Sequence, residues 1–261
     1  MEPQTLREIM TWQPEYKPSV VEQVLPTQGR AIIYGRYKSL KSMLALYMAL
    51  CVGEGRSFLG FSTPDGGASV LYLQIEIPHI WLRDRIGEML VSWSHADHSP
   101  MQENVKIWTE PYIKLDTPEG RAVLHQKLNT YRPSLLIIDP IYKIMSGNIL
   151  DPNSVRHFLD DIDRTIAGYE CAVLLVSHTR KGIYDDWGSD DMIGSMFFSA
   201  WADTVIRLAR KEVKTNTPTR EIALTATFDV IRYAKEEIGD LEVMFNKDTL
   251  EFQTTQERIS I

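Results

Sequence analysis

A lysine and a serine just after a strand-like run are the residues of this chain with the clearest chemical use. The apolar run 31–34 ends at Gly35, and Lys41 and Ser42 open an apolar, helix-like segment. This spacing is that of a phosphate-binding loop, in which backbone N–H groups and a helix N-terminus surround a phosphate. The lysine ammonium would reach the β- and γ-phosphates, and the serine hydroxyl would hold Mg²⁺.

The loop departs from the usual pattern Gly-x-x-x-x-Gly-Lys-Ser/Thr at one position. Leu40 stands in place of the second glycine, and an additional Lys-Ser pair comes directly before it. Glycine normally lets the backbone approach a phosphate closely, so its absence favours the alternative that the lysine and serine only face water. We predict a nucleotide-binding loop made of Gly35, Arg36, Tyr37, Lys38, Ser39, Leu40, Lys41 and Ser42.

Carboxylates follow two other strand-like runs. Asp139 comes after the run 134–138, and Glu76 comes after 69–75. An aspartate beside a phosphate loop contacts Mg²⁺, and a glutamate at the carboxyl edge of a sheet can deprotonate the attacking water. The alternatives are an aspartate that caps the turn with Pro140 and a solvated glutamate. We predict Ser42 and Asp139 as the metal site and Glu76 as the general base.

A third strand-like run, 172–177, is followed by His178. A polar group at this sheet edge can hydrogen-bond the γ-phosphate or Glu76, and so respond to whether ATP or ADP is bound. A histidine at a strand end can equally be structural. We assign His178 to nucleotide sensing because the other predicted site residues lie at the same edge.

The elements that would position these residues alternate along the chain. Apolar strand-like runs up to residue 177 are separated by helical patterns at 41–52, 80–93, 118–131 and 154–167. Such alternation indicates a parallel sheet covered on both faces. After residue 200, strand-like runs follow one another with short polar links. The predicted fold class is therefore α/β, a mostly parallel twisted sheet with helices on both faces, extended by C-terminal antiparallel strands.

The composition of the chain limits which classes of protein it can belong to. Residues 1–24 hold three prolines and predict an extended N-terminal arm, followed by one domain over 25–261. No apolar run approaches the roughly 20 residues that span a bilayer, and both cysteines lie in apolar segments, as buried thiols of a reducing compartment do. We expect a cytoplasmic protein without membrane contact. The net charge of −7 argues against a broadly basic nucleic-acid-coating surface but not against a local basic channel.

The order of the motifs resembles the RecA-like ATPases, in particular the branch of RepA-type and DnaB-like hexameric helicase motors. The matching pieces are the loop at 35–42, VLYLQIEIP, LLIIDP, LLVSHTRKG and GSMFFSAWADTVIRL, in family order over about residues 20–255. The resemblance implies ATP and Mg²⁺ as ligands. It assigns phosphate and Mg²⁺ binding to Lys41 and Ser42, catalysis to Glu76, Mg²⁺ to Asp139 and sensing to His178.

The resemblance also implies a homo-oligomeric ring or filament, with a hexamer as the expected assembly. In such an assembly a basic residue of the neighbouring subunit, called the finger, completes each active site. The segment 228–235 resembles the strand that carries this finger. Arg232 is the first candidate, Lys235 the second, and Arg207 a weaker one. Exposed basic residues on an edge strand are the alternative.

Two segments that face DNA in that family correspond here to 143–151 and 180–191. Arg180 and Lys181 are candidate DNA contacts, although four aspartates in the second segment oppose binding to phosphates. The expected function is an Mg²⁺-dependent, helicase-like ATPase motor on single-stranded DNA in replication or recombination. The contending function is an ATP-switched assembly or loader protein, and the third is a degenerate nucleotide-binding protein.

Overall fold

The computed structural model describes residues 3–15, 17–93, 99–179, 195–211 and 220–254. Its strands are β1 (Arg30–Tyr34), β2 (Val70–Gln74), β3 (Val105–Thr109), β4 (Leu135–Asp139), β5 (Ala172–Val176), β6 (Thr204–Arg210), β7 (Glu221–Ile231), β8 (Leu241–Asn246) and β9 (Phe252–Thr254). Its helices are α1 (Leu6–Thr11), α2 (Lys41–Glu54), α3 (His79–Ser92), α4 (Ser99–Asn104), α5 (Pro118–Tyr131), α6 (Ile141–Ile144), α7 (Pro152–Tyr169) and α8 (Ser195–Trp201).

All the named strands form one sheet in the order β3-β2-β4-β5-β1-β6-β7-β8-β9. The pairs from β3 to β6 are parallel, and the pairs from β6 to β9 are antiparallel. This arrangement confirms the predicted fold class. Because parallel strands end at the same edge, the residues that follow β1, β2, β4 and β5 are brought together there, as Gly35, Glu76, Pro140 and Ser177 show.

Alternate strand residues face the two helical layers, and β1 shows the division. Ala31 and Ile33 pack into the core that contains α2, α3 and α4. Ile32 and Tyr34 pack into the second core, with α5, α6, α7 and α8. The near-continuous apolar strands therefore reflect burial on both faces of the sheet.

The N-terminal segment differs from the expected extended arm. Residues 3–15 are exposed, but 6–11 form α1, because the Thr5 side chain accepts the Glu8 N–H and the Glu8 side chain accepts the Thr5 N–H. Further along, Val20 and Val24 are already buried in the core against α2. Across the described part of the chain, no helix is both long enough and apolar enough to cross a membrane.

Candidate functional site

The predicted loop joins β1 to α2 and has a phosphate-loop backbone despite its leucine. Leu40 has φ 68° and ψ 20°, in the left-handed region, and Lys38 has φ 65°. A residue with a β-carbon in this region costs about 1–2 kcal/mol. The Leu40 side chain is half-buried against the α2 core, and this contact opposes the cost. Leu40 thus adopts the backbone conformation that a glycine usually supplies.

Gly35 has a steric role at the start of the loop. A β-carbon at this position would lie 2.3 Å from the carbonyl oxygen of Leu208 on the neighbouring strand β6. Because no side chain fits there, the glycine lets the end of β1 pass directly against β6. The close approach fixes where the loop leaves the sheet.

Lys41 lies at the centre of the loop, with only 4 % of its surface exposed. Its Nζ donates to the Arg36 carbonyl oxygen at 2.7 Å and is 3.4 Å from the Ser39 Oγ. Burial lowers the pKa of Lys41 to about 8, against the opposing charges of Asp139 and Glu76. The side chain is therefore mainly an ammonium at neutral pH, as a phosphate ligand must be.

Asp139 is held by hydroxyl groups from two other elements. Its Oδ1 accepts from the Ser42 Oγ at 3.0 Å, and its Oδ2 accepts from the Tyr72 hydroxyl at 2.6 Å. Burial raises the pKa of Asp139 to about 6, while the hydrogen bonds from Tyr72 and Ser42 act to lower it. The carboxylate is ionised above that pH. Sequence reasoning missed Tyr72, whose hydroxyl lies within an apolar strand.

Ser42 and Asp139 fit the chemistry of an Mg²⁺ site. Mg²⁺ prefers oxygen ligands and is usually held by one or two protein groups, with waters and substrate phosphates completing its shell. A hydroxyl and a carboxylate in hydrogen-bond contact beside the loop supply such a pair. Among the described residues, no group of three or more His, Cys, Asp or Glu side chains forms an alternative metal cluster.

Glu76 is exposed just beyond β2, on the same sheet edge. Its Oε1 accepts a hydrogen bond from the Tyr142 hydroxyl of α6. The Tyr142 ring also meets the His178 ring edge-on, with 5.5 Å between the centroids. Burial lowers the pKa of His178, and the positive charge of Lys41 lowers it further. The negative charge of Glu76 acts in the opposite direction and raises the pKa of both His178 and Lys41. His178 is thus mainly neutral at pH 7, and the charge of Glu76 acts on both His178 and Lys41.

A cavity of about 610 Å³ lies beside the loop, where β1 and β6 end. Its volume is within the range of small-molecule sites. Arg207 borders the cavity from β6 and is paired with Asp229 at 3.3 Å. The other lining residues come from the loop, the end of β5 and the end of β6: Gly35, Arg36, Tyr37, Ser39, Thr179, Leu208, Ala209, Arg210 and Lys211.

The profile of the AAA domain family matches residues 2–183, which is more than half of the chain and includes the loop, Glu76, Asp139 and His178. The chain belongs to the AAA domain family. No curated protein matches it in sequence. Its fold is similar to the crystal structure of a KaiC-like protein from the hyperthermophilic archaeon Pyrococcus horikoshii OT3, at a TM-score of 0.62 and 12% identity, covering 91% of this chain and 94% of that one. Family and fold together support a RecA-like P-loop ATPase, whereas the RepA-type and DnaB-like helicase branch stays a prediction.

Arg232 of this AAA domain protein lies at the opposite sheet edge from the loop. The antiparallel register places Ile231 beside Thr204, at the start of β6, so Arg232 follows at that far edge. Its Nη2 donates to the Ala200 carbonyl at 2.7 Å, and its Nη1 is 3.5 Å from the buried Asp203 carboxylate. The residue thus has partners in its own chain, which the sequence motifs did not reveal. It does not lie at the loop of its own chain.

The other two candidates for the basic finger, Lys235 and Arg207, lie in different parts of the fold. Lys235 is exposed beyond β7, because that strand runs over 221–231 and ends before the last four residues of the expected 228–235. Arg207 is the one of the three candidates that borders the cavity beside the loop of its own chain. Arg180 and Lys181 lie outside the residues that the structure describes.

Replacing Tyr72 by phenylalanine in this AAA domain protein should raise the Mg²⁺ concentration needed for half-maximal ATP hydrolysis by roughly tenfold or more, because removing a partner of a metal-binding carboxylate weakens metal affinity. Titration of Mg²⁺ at fixed ATP measures the change. Tyr47→Phe is the matched control, since Tyr47 is also buried but its hydroxyl interacts with Cys51. An unchanged Mg²⁺ requirement in Tyr72→Phe would contradict the assignment of Asp139 to the metal.

Proposed function

We propose that this protein is an Mg²⁺-dependent ATPase motor that acts on single-stranded DNA, as a homo-oligomeric ring or filament, with helicase-like translocation in replication or recombination. One observation carries the ATPase part: a buried lysine, a serine–aspartate pair and a glutamate converge at one sheet edge around the loop. The AAA domain family and the RecA-like fold support the same chemistry. The DNA part rests on the order of the sequence motifs.

In this proposal the triphosphate lies across the loop and the N-terminus of α2. The Lys41 ammonium binds the β- and γ-phosphates, and backbone N–H groups of the loop bind the β-phosphate. Ser42 and Asp139 hold Mg²⁺, which when bound offsets negative charge on the phosphates. The cavity beside the loop receives the nucleoside end of ATP, since it opens from the same loop residues.

Glu76 performs the proton transfer. Its carboxylate orients the attacking water and takes one of its protons as the oxygen bonds to the γ-phosphorus and the bond to ADP breaks. Neutral His178 hydrogen-bonds the γ-phosphate and so distinguishes ATP from ADP. The proton leaves Glu76 to solvent after phosphate departs, because this side chain is exposed.

A second function is favoured by one observation, the acidic balance of the chain. The 35 acidic residues outnumber the 28 basic ones, which opposes binding to a phosphate backbone because affinity for DNA depends on cations matched to phosphates. The alternative is therefore an ATP-switched assembly or loader protein of DNA replication or recombination without translocase activity. In that case ATP governs how subunits dock, and DNA does not change the rate of hydrolysis.

The two functions differ in their response to single-stranded DNA. We would measure ATP hydrolysis with and without a single-stranded oligonucleotide, together with the mass of the assembly in ATP and in ADP. Stimulated hydrolysis by an oligomer supports the motor. Nucleotide-dependent assembly without stimulation supports the switch, and a monomer that hydrolyses ATP would contradict both.

Arg232→Ala is expected to bind ATP nearly as the parent does but to hydrolyse it about 10³–10⁵-fold more slowly, the usual effect of losing an arginine finger. Mixing this variant with Glu76→Gln should restore part of the activity. Interfaces that pair an intact Glu76 with an intact Arg232 then form. Hydrolysis by purified mixed oligomers measures this rescue.

The design must separate catalysis from folding, because Arg232 also contacts the buried Asp203 carboxylate. Thermal unfolding of Arg232→Ala shows how much stability that contact provides. Arg164→Ala is a control, since Arg164 is an exposed arginine that pairs with Asp161 on α7. Mixed oligomers that show no rescue would rule out Arg232 as a finger between subunits, and Lys235 would be tested next.

A further inference from the structure

Tyr142 touches two of the predicted site residues although it belongs to none of the sequence motifs. It lies on α6, three residues beyond the metal-binding Asp139. Its hydroxyl donates to Glu76, and its ring contacts His178 edge-on at 5.5 Å. Burial, then the hydrogen bond and charge of Glu76, raises the pKa of the Tyr142 hydroxyl, so it remains a proton donor at neutral pH.

We propose that Tyr142 is the positioning residue of Glu76 and couples it to the segment after α6. This inference rests on the proposed function, in which Glu76 is the general base. Glu76 is an exposed side chain beyond the end of β2, where glutamate rotamers interconvert freely. The hydrogen bond from Tyr142 selects one of these rotamers, in which the charge of the carboxylate acts on both Lys41 and His178.

The position of Tyr142 is itself fixed by the residues that follow it. The Lys114 Nζ donates to the carbonyl oxygens of Lys143 and Met145, at 2.6 and 3.2 Å. The Asp116 carboxylate accepts from the backbone N–H groups of Ser146 and Gly147, at 2.8 and 3.1 Å. Two side chains from the turn before α5 therefore clamp the end of α6 and the chain directly beyond it.

This clamped chain is part of the segment 143–151, in which Ser146, Asn148 and Leu150 are exposed and open to contact from outside. A ligand that shifts the segment also shifts α6, and with it the tyrosine hydroxyl that orients Glu76. The structure thus contains a short path that runs along the backbone from the segment to Tyr142 and then through one hydrogen bond to the general base. Contacts outside the nucleotide site can change the rate of hydrolysis along this path.

Tyr142→Phe is the first test. We expect kcat for ATP to fall about 10–100-fold, as expected for loss of a hydrogen bond to a charged group, while KM stays within about twofold. In a Glu76→Gln background the same substitution should cause no further loss in single-turnover hydrolysis. A tyrosine with only a structural role would not lower kcat while leaving KM unchanged, and its effect would not depend on Glu76.

The matched control is Tyr112→Phe, because Tyr112 is 88 % exposed and lies outside the proposed site. It should hydrolyse ATP as the parent does. If Tyr142→Phe keeps the parent kcat while Glu76→Gln is inactive, the inference is overturned and the ATPase assignment stands. If Glu76→Gln itself keeps the parent rate, both the inference and the assignment of the base are overturned.

Asp116→Asn tests the coupling. The substitution weakens the clamp on Ser146 and Gly147 and should lower kcat severalfold when Tyr142 is present. Combined with Tyr142→Phe it should add nothing, because both act through the same hydrogen bond. If the losses in kcat from Asp116→Asn and Tyr142→Phe multiply in the double variant, the coupling to this segment is overturned. The positioning of Glu76 by Tyr142 is decided by the single variant Tyr142→Phe.

Discussion

Glu76→Gln is expected to leave ATP bound and to slow its hydrolysis by about 10²–10⁴-fold, the usual contribution of a general base. Glutamine has nearly the same shape but cannot accept the proton of the attacking water. Lys41, Ser42 and Asp139 remain in place, so affinity for nucleotide and Mg²⁺ should change little. Equilibrium binding of an ATP analogue and single-turnover hydrolysis measure the two effects separately.

The chain offers a matched control at the same sheet edge. Glu110 directly follows β3, as Glu76 follows the end of β2, and it is exposed too. Because β3 is the outermost parallel strand, Glu110 lies two strands from β4 and further from the loop. Glu110→Gln should hydrolyse ATP at the parent rate. Normal turnover by Glu76→Gln would instead move the general base to Asp139 or its neighbours.

Lys41→Ala is expected to abolish ATP hydrolysis and to weaken nucleotide binding by about 10–100-fold, because charge-assisted hydrogen bonds to phosphate are among the strongest. The fold should survive the change. Burial lowers the pKa of Lys41 from 10.5 to about 8, so a cost to folding grows as the pH falls between these values and is fully present below about 8. Removing this charge offsets the packing that the alanine loses. Calorimetric binding of ATP and thermal unfolding measure the two expectations.

Lys38→Ala separates the two lysines of the loop. Lys38 is exposed and lies over the ring of Tyr37, whereas Lys41 is buried at the loop centre. We expect Lys38→Ala to retain nucleotide binding within a few-fold of the parent, since its ammonium remains in water. A folded Lys41→Ala variant that hydrolyses ATP normally would show that the loop does not bind phosphate.

The layout of the site was predictable because it follows from topology. Apolar runs with intervening helices imply parallel strands, and parallel strands place their following residues at one edge. Gly35, Glu76, Asp139 and His178 could therefore be grouped without knowledge of any distance. The departure at Leu40 did not obstruct this, since the loop was recognised from the lysine, the serine and the preceding strand.

The tyrosines were not predictable from the sequence. Tyr72 and Asp139 are 67 residues apart in the chain, and their hydrogen bond depends on side chains that meet across adjacent strands. Tyr142 and Glu76 are 66 residues apart, and they meet because they follow the neighbouring strands β4 and β2. In a sequence, both tyrosines read as parts of apolar runs. Patterns of apolar residues indicate burial but do not reveal where a phenol hydroxyl points.

Arg232 shows a different limit of sequence reasoning. A basic residue after an apolar strand is compatible with either sheet edge, and only the direction of β7 against β6 decides between them. The capping box of α1 is a contrasting case, because Thr5 and Glu8 are three residues apart and the signal is local. The prolines near this capping box favour an extended chain, and they led to the prediction of an extended arm instead of a helix.

Leu40 has a thermodynamic consequence for the loop that carries it. A glycine at this position would leave the loop free to sample many backbone states before ligand arrives, and ordering it would then reduce affinity. The leucine side chain anchors the turn to the α2 core, so the loop is ordered as the protein folds. The entropic cost of ordering the loop is therefore included in the free energy of folding, and a ligand of the loop would not have to meet it again on binding.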